Sequence, residues 1–165
     1  MPILSKPEWE PIFREGLNLV TIEEFFDIGV SKFPYSKTRN QIFDGFLKYV
    51  EIVKSTNLAG EIWLNGSFLT LKEDPEDIDL VFRFSGIQVD KLSDTDKENL
   101  EDCLLKSYQL ELKCDNYVLA EYPDNHPGYA GGIKARTHWL GLFGFNRNLT
   151  PKGFAFIKIN GGIVL

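Results

Sequence analysis

The sequence predicts an α+β domain in which a mixed, mostly antiparallel sheet is flanked by helices. Three observations carry that expectation. Apolar residues recur at three- and four-residue steps between Ser36 and Thr56, the spacing of one helix face. Short apolar or alternating runs at Glu61–Asn65, Asp77–Phe84 and Gly153–Ile159 have the length and pattern of strands. The two kinds of segment interleave without a regular βαβ repeat, which disfavours an all-parallel sheet.

Taken in order, Thr21-Ile-Glu-Glu24 has the form of a capping box and opens a helix running to about Phe33, which Pro34 ends. Ser36–Thr56 makes a longer helix whose buried face holds Ile42, Phe43, Phe46, Leu47, Tyr49, Val50 and Val53. Glu61–Asn65 reads as a strand stopped by Gly66-Ser67, and a polar loop leads to a second strand, Asp77–Phe84. Lys91–Tyr108 sets Leu92, Leu100, Leu104 and Leu105 among charges and reads as a surface helix. Gln109–Glu121 alternates as another strand, and Pro123, Pro127, Gly128, Gly131 and Gly132 mark a long irregular loop. Lys134–Phe145 reads as a short helix closed by Gly144, and Gly153–Ile159 as the last strand.

The chain of 165 residues, 43% of them hydrophobic, is the size of one domain, so residues 1–165 are expected to share one core. That core can bury roughly 70% of the surface the unfolded chain exposes. Stretches such as Trp139–Phe145 are far shorter than the roughly 20 apolar residues a spanning helix needs, so no membrane partner is expected. Met1–Glu10 has neither a basic region nor an apolar run, and no signal peptide is expected there. Cys103 and Cys114 make neither a disulfide framework nor a four-cysteine zinc site, and a reducing cytoplasm is the expected compartment. Net charge is −6 but unevenly spread: residues 1–124 carry −11 and residues 125–165 carry +5. Such asymmetry suggests that one wall of the fold meets an anion.

The segment richest in chemistry is Leu64-Asn-Gly-Ser67, nine residues, then Asp77-Ile-Asp79-Leu80. On an extended strand, positions i and i+2 share a face, so Asp77 and Asp79 point one way while Ile78 and Leu80 enter the core. Two adjacent carboxylates repel, and hard divalent cations about 3.5–4 Å apart relieve that repulsion while holding phosphate oxygens. Gly66 lets the backbone approach a phosphate closely, and Ser67 offers a hydroxyl and an amide. The pieces suit a nucleoside triphosphate.

This pattern resembles the motif of the nucleotidyltransferase superfamily typified by DNA polymerase beta: an apolar residue, Gly, Gly or Ser, then Asp-apolar-Asp/Glu-apolar. Asn65 stands where the apolar residue is usual. The chain is also similar, over about Gly16 to Ile159, to a group of small bacterial nucleotidyltransferase-like proteins. The matching segments include Thr21–Phe25, Ile62–Thr70, Pro75–Asp79, Asp115–Tyr117, Tyr122-Pro, His126-Pro, Trp139, Phe143-Gly144, Arg147 and Lys152-Gly153. The resemblance implies a polymerase-beta-like palm. It implies an enzyme that moves a nucleoside monophosphate from a nucleoside triphosphate to a hydroxyl, with two Mg2+ ions, or Mn2+ in their place.

The superfamily places a third carboxylate on a later strand. Along Gln109–Glu121, the acids Glu111, Asp115 and Glu121 share parity. Asp115 is the choice by the Asp-x-Tyr match, with Glu111 as the substitute because Asn116 is polar where an apolar residue is usual. Asp77, Asp79 and Asp115 are thus the expected catalytic residues and metal ligands. Gly66, Ser67, Arg147, Lys152 and Arg136 are the expected nucleotide contacts, with Lys134 behind them, since an Arg bridges phosphate oxygens bidentately and a Lys acts as a point charge.

His126 and His138 lack a third ligand and make no transition-metal site, and Trp139, Phe143 and Phe145 read as core before they read as a base-stacking platform. A chain this short leaves little room for an acceptor-binding domain. The expected acceptor is therefore an outside protein or a transfer RNA, and a partner protein from the same operon is expected by likeness to bacterial toxin–antitoxin and antiviral modules. The alternative function is a nucleotidyltransferase-shaped module without turnover, serving as an antitoxin, nucleotide sensor or assembly subunit.

Overall fold

The computed structural model describes residues 6–163, and within them five strands build one open sheet. They are β1 (Gly16–Leu19), β2 (Gly60–Asn65), β3 (Ile78–Ser85), β4 (Cys114–Glu121) and β5 (Gly153–Ile159), in the spatial order β1-β5-β2-β3-β4. β2 pairs antiparallel with both β3 and β5, whereas β1 runs parallel to β5 and β4 parallel to β3. The α+β class stands, but parallel and antiparallel pairings are equal in number, so the sheet is not mostly antiparallel.

The helices are α1 (Ile22–Phe26), α2 (Arg39–Ser55), α3 (Ile87–Asp90), α4 (Asp94–Leu104), α5 (Gln109–Leu112) and α6 (Tyr129–Gly144). The Thr21 capping box forms in full: its hydroxyl accepts from the Glu24 amide, and the Glu24 carboxylate accepts from the Thr21 amide at 2.8 Å. The predicted helix over Thr21–Phe33 is α1 followed by a π-helical turn at Asp27–Ser31. None of the described helices is long and apolar enough to cross a membrane.

Alternation along the strands sorts the sheet into two faces. On one, Ile62, Leu64, Ile78, Leu80 and Phe82 are fully buried, and they share a core with Phe25, Phe46, Tyr49, Val50 and Val53 of α1 and α2. On the other lie Trp63, Asp79, Arg83, Asp115, Tyr117 and Glu121, and α6 packs there. Trp139 meets Tyr117 with ring centroids 4.7 Å apart, and Phe143 meets Phe154 at 5.6 Å. Gly132 permits this approach, because a β-carbon would come within 3.2 Å of Ala120 carbonyl oxygen and Glu121 Cα. α6 therefore begins inside the glycine-rich stretch expected to be loop, and it replaces the shorter helix expected at Lys134–Phe145.

Two further expectations are corrected. Lys91–Tyr108 is not one helix: α3 has already ended at Asp90, only Asp94–Leu104 is helical, as α4, and Ser93 caps α4 by accepting from the Asp96 amide. Gln109–Glu121 is not one strand: Gln109–Leu112 coils into α5, Lys113 takes a left-handed turn at φ 58°, and β4 starts at Cys114. The alternation there belonged to a helical turn with Leu110 exposed and Leu112 buried. Leu112 sits so close to Gly45 of α2 that no β-carbon would fit there.

Candidate functional site

Strand register places three of the singled-out side chains in one row. Asn65 of β2 pairs with Asp79 of β3, which pairs with Asp115 of β4, and residues in register on neighbouring strands project to the same face. Asp77 lies just ahead of β3, half-buried, and its carboxylate accepts from Gln109 Nε2 at 3.2 Å. Burial, then the charges of Asp77 and Asp115, push the Asp79 carboxyl up to about 6, against the opposing pull of Lys152. The two Asp-x-Asp carboxylates and Asp115 therefore act on one another.

Gly66 ends β2 at φ 87°, a conformation open to glycine, and a β-carbon there would stand 2.6 Å from Asp79 Oδ2. The bend thus faces the acid. Ser67 begins a short 3-10 turn, Ser67–Leu69, anchored by the buried Phe68 and Leu69. Asn65, which departs from the motif, is buried and aims its amide at the Phe143 carbonyl, 3.5 Å away.

The basic tail divides. Lys152 is half-buried, its amide donating to the Gly144 carbonyl at 2.8 Å at the foot of a loop whose turn is tied by Asn146 Oδ1 accepting from the Asn148 and Thr150 amides. Burial pushes the Lys152 ammonium below its usual range and Arg147 adds to this, while Glu8 and Asp79 pull it back up. Arg147 is exposed, its amide donating to the Glu8 carboxylate at 3.2 Å. Arg136 is elsewhere. With Arg83 it holds the buried Glu121, at 3.4 and 2.7 Å, and Arg83 also reaches Glu61 at 3.1 Å. Six residue steps along β4 separate Asp115 from Glu121, about 20 Å. Arg136 is therefore a structural cation at the other end of β4, and Lys134 is exposed on the same half of α6.

Glu111 does not share a strand face with Asp115, because α5 carries it to the surface, where it pairs with Lys106 at 3.2 Å. His126 pairs with Asp90 at 3.1 Å and stacks on Tyr122, and His138 is exposed beside Trp139. Phe143 is core, Phe145 is exposed, and Trp139 is half-buried against Tyr117.

Two residues were given no role by the sequence. Buried Arg39 donates to the carbonyls of Gly29, Phe68, Thr70, Lys72 and Glu73 at 2.6–3.3 Å, with its guanidinium 3.6 Å from the Phe33 ring centroid. It fixes the loop that joins Gly66-Ser67 to Asp77, and desolvation lowers its own pKa to about 10. Asp74 pins the same loop by accepting from the Lys37 amide at 2.6 Å. Tyr117 is the second: its hydroxyl donates to Asp115 Oδ2 at 3.1 Å, and burial followed by Asp115 raises its pKa.

The donors are all oxygen, the set that suits magnesium or manganese rather than zinc or copper. The excess negative charge around Asp79 fits a hard cation. Among the described residues, no three His, Cys, Asp or Glu side chains are already gathered to hold a metal ion, so ligation would require the carboxylates to draw together. A family model described as a family of unknown function, DUF6932, matches residues 7–158. No curated protein and no solved structure matches the chain.

Proposed function

We propose that this chain, which belongs to the DUF6932 family, is a nucleotidyltransferase that moves a nucleoside monophosphate from a nucleoside triphosphate to a hydroxyl on a protein or RNA. The observation that carries the proposal is the register row Asn65–Asp79–Asp115, with the glycine bend closing on Asp79 and Lys152 opposing it. The strand–bend–strand order, with a third acid on the strand parallel to the second, also supports a polymerase-beta-like palm.

Asp77, Asp79 and Asp115 would hold two magnesium ions, which supply charge neutralisation and orient the phosphates when bound. The chain's own part is positioning. Gly66 and Ser67 offer backbone amides and a hydroxyl to the phosphates, and Lys152 meets the negative charge that builds as pyrophosphate departs, with Arg147 beside it. Asp115 takes the proton of the attacking hydroxyl. The acceptor is an outside protein or RNA in a reducing cytoplasm, a partner protein from the same operon being one candidate.

Calorimetry with nucleoside triphosphates, with and without magnesium, tests binding. Pyrophosphate release and labelling of acceptors in a cell extract test turnover. Metal-dependent binding, with labelling lost in Asp77→Ala/Asp79→Ala, is the expected result. A second reading, a nucleotide-binding antitoxin, sensor or assembly module without turnover, is favoured by the carboxylates not being gathered in advance. Binding that never leads to pyrophosphate release selects it.

A further inference from the structure

If Asp115 accepts the proton of an attacking hydroxyl, the place of that hydroxyl is within hydrogen-bond distance of an Asp115 oxygen, and in this protein a hydroxyl is already there. Tyr117 shares the face of Asp115 two residues along β4, and its phenol donates to Asp115 Oδ2 at 3.1 Å. Tyr117 as a residue is 42% exposed, so it is open to a ligand. Contact with Trp139, at 4.7 Å between centroids, holds it in place over the acid row. Tyr117 also stands one register step beyond Asp79, opposite Val81, on the same face of the sheet.

We propose that Tyr117 is a self-modification site: the protein transfers one nucleoside monophosphate to its own Tyr117 hydroxyl. The inference rests on the nucleotidyltransferase reading above. The phenol oxygen bonds to the α-phosphorus of a nucleoside triphosphate, the bond from that phosphorus to the bridging oxygen breaks, pyrophosphate leaves, and the phenol proton passes to Asp115. The product is a tyrosyl phosphodiester, formed without change of oxidation state. Since an outside acceptor needs the same position beside Asp115, the modified chain is blocked toward further transfer. The modification therefore stops at one nucleotide per chain.

The full chain is incubated with magnesium and each common ribonucleoside triphosphate in turn, and intact-mass measurement is followed by peptide sequencing in the mass spectrometer. The expected result is the added mass of a single nucleoside monophosphate on Tyr117, with one equivalent of pyrophosphate released. Tyr117→Phe, checked for an unchanged melting curve, takes up none, and neither does Asp79→Asn. Calorimetry with the same nucleotides is run alongside. Metal-dependent binding without an adduct, or with the adduct on another residue, overturns this proposal and leaves the nucleotidyltransferase reading standing. Absence of metal-dependent binding for every nucleotide overturns both.

Discussion

Replacing Asp79 by asparagine keeps the shape of the side chain and removes the charge that its surroundings oppose. The ordinary carboxyl value is 3.8 and the folded value is about 6, so folding favours the protonated form. The sign follows from linkage. A raised carboxyl contributes no penalty below its unfolded value, begins to cost stability as pH climbs through the interval from 3.8 to about 6, and carries the full cost above it. At about 1.36 kcal/mol per pKa unit the ceiling is roughly 3 kcal/mol, and relaxation of neighbouring groups brings the expectation to about 2. Asp79→Asn is therefore expected to be more stable than the wild type at pH 8, raising the melting temperature by about 4–8 °C. Near pH 4 the gain shrinks to about a fifth of that. Circular-dichroism melts at both pH values in the presence of a chelator measure it. Magnesium should then stabilise the wild type at pH 8 and leave the variant unmoved, because the cation offsets both the burial of the carboxylate and its repulsion by Asp77 and Asp115. A variant less stable than wild type by the same margin at both pH values would refute the idea that Asp79 is held under electrostatic strain.

The other perturbations separate support of the site from contact with the nucleotide. Arg39→Met leaves five backbone carbonyls without their donor and should cost on the order of 3 kcal/mol in urea unfolding; Arg39→Lys should recover only part of it, since a point charge cannot reach all five. Gly66→Ala combines a positive φ with a β-carbon 2.6 Å from Asp79 Oδ2. It should cost about 1–2 kcal/mol and lower magnesium–nucleotide affinity at least about tenfold by calorimetry. Lys152→Met should weaken triphosphate binding by about tenfold at low salt, whereas Arg136→Met should leave that affinity within about twofold and lower only thermal stability. Equal losses of affinity in the two variants would remove the distinction drawn between the ends of β4.

Much of the frame is visible in the sequence because it follows from local pattern. The α2 face, the β2 bend, β3 and β5 come from periodicity and glycine placement, and the Thr21 box forms as its four residues predict. What escaped was decided at long range. β1 is four residues long and shows two leucines to solvent, so it exists only by pairing with β5. α5 alternates polar and apolar residues as a strand does, and its coiling is set by Leu112 packing on α2 at Gly45. α6 contains four glycines, costly in an isolated helix, and Gly132 lets it close on β4. Arg39 reads as a surface cation in a charged stretch, since nothing local announces that Phe68, Thr70, Lys72 and Glu73 will converge on it.

The same limit explains why strand parity alone could not choose between Asp115 and Glu121, nor basic charge alone between Lys152 and Arg136. All four belong to the α6 side of the sheet, and each type of residue is suited to either role. The structure separates them by charge balance. At the far end of β4, Glu61 and Glu121 meet Arg83 and Arg136, two against two, and the network closes on itself with no need of an outside ion. At the near end Asp79 lies among the charges of Asp77 and Asp115, and the cation that acts on it is half-buried Lys152, which Glu8 also engages and whose ammonium is depressed by burial, while Arg147 stays at the surface. Breaking a closed network destabilises the fold, whereas an end left negative is one that a divalent cation and its phosphates can complete. Charge left uncompensated, rather than charge as such, marks the candidate site.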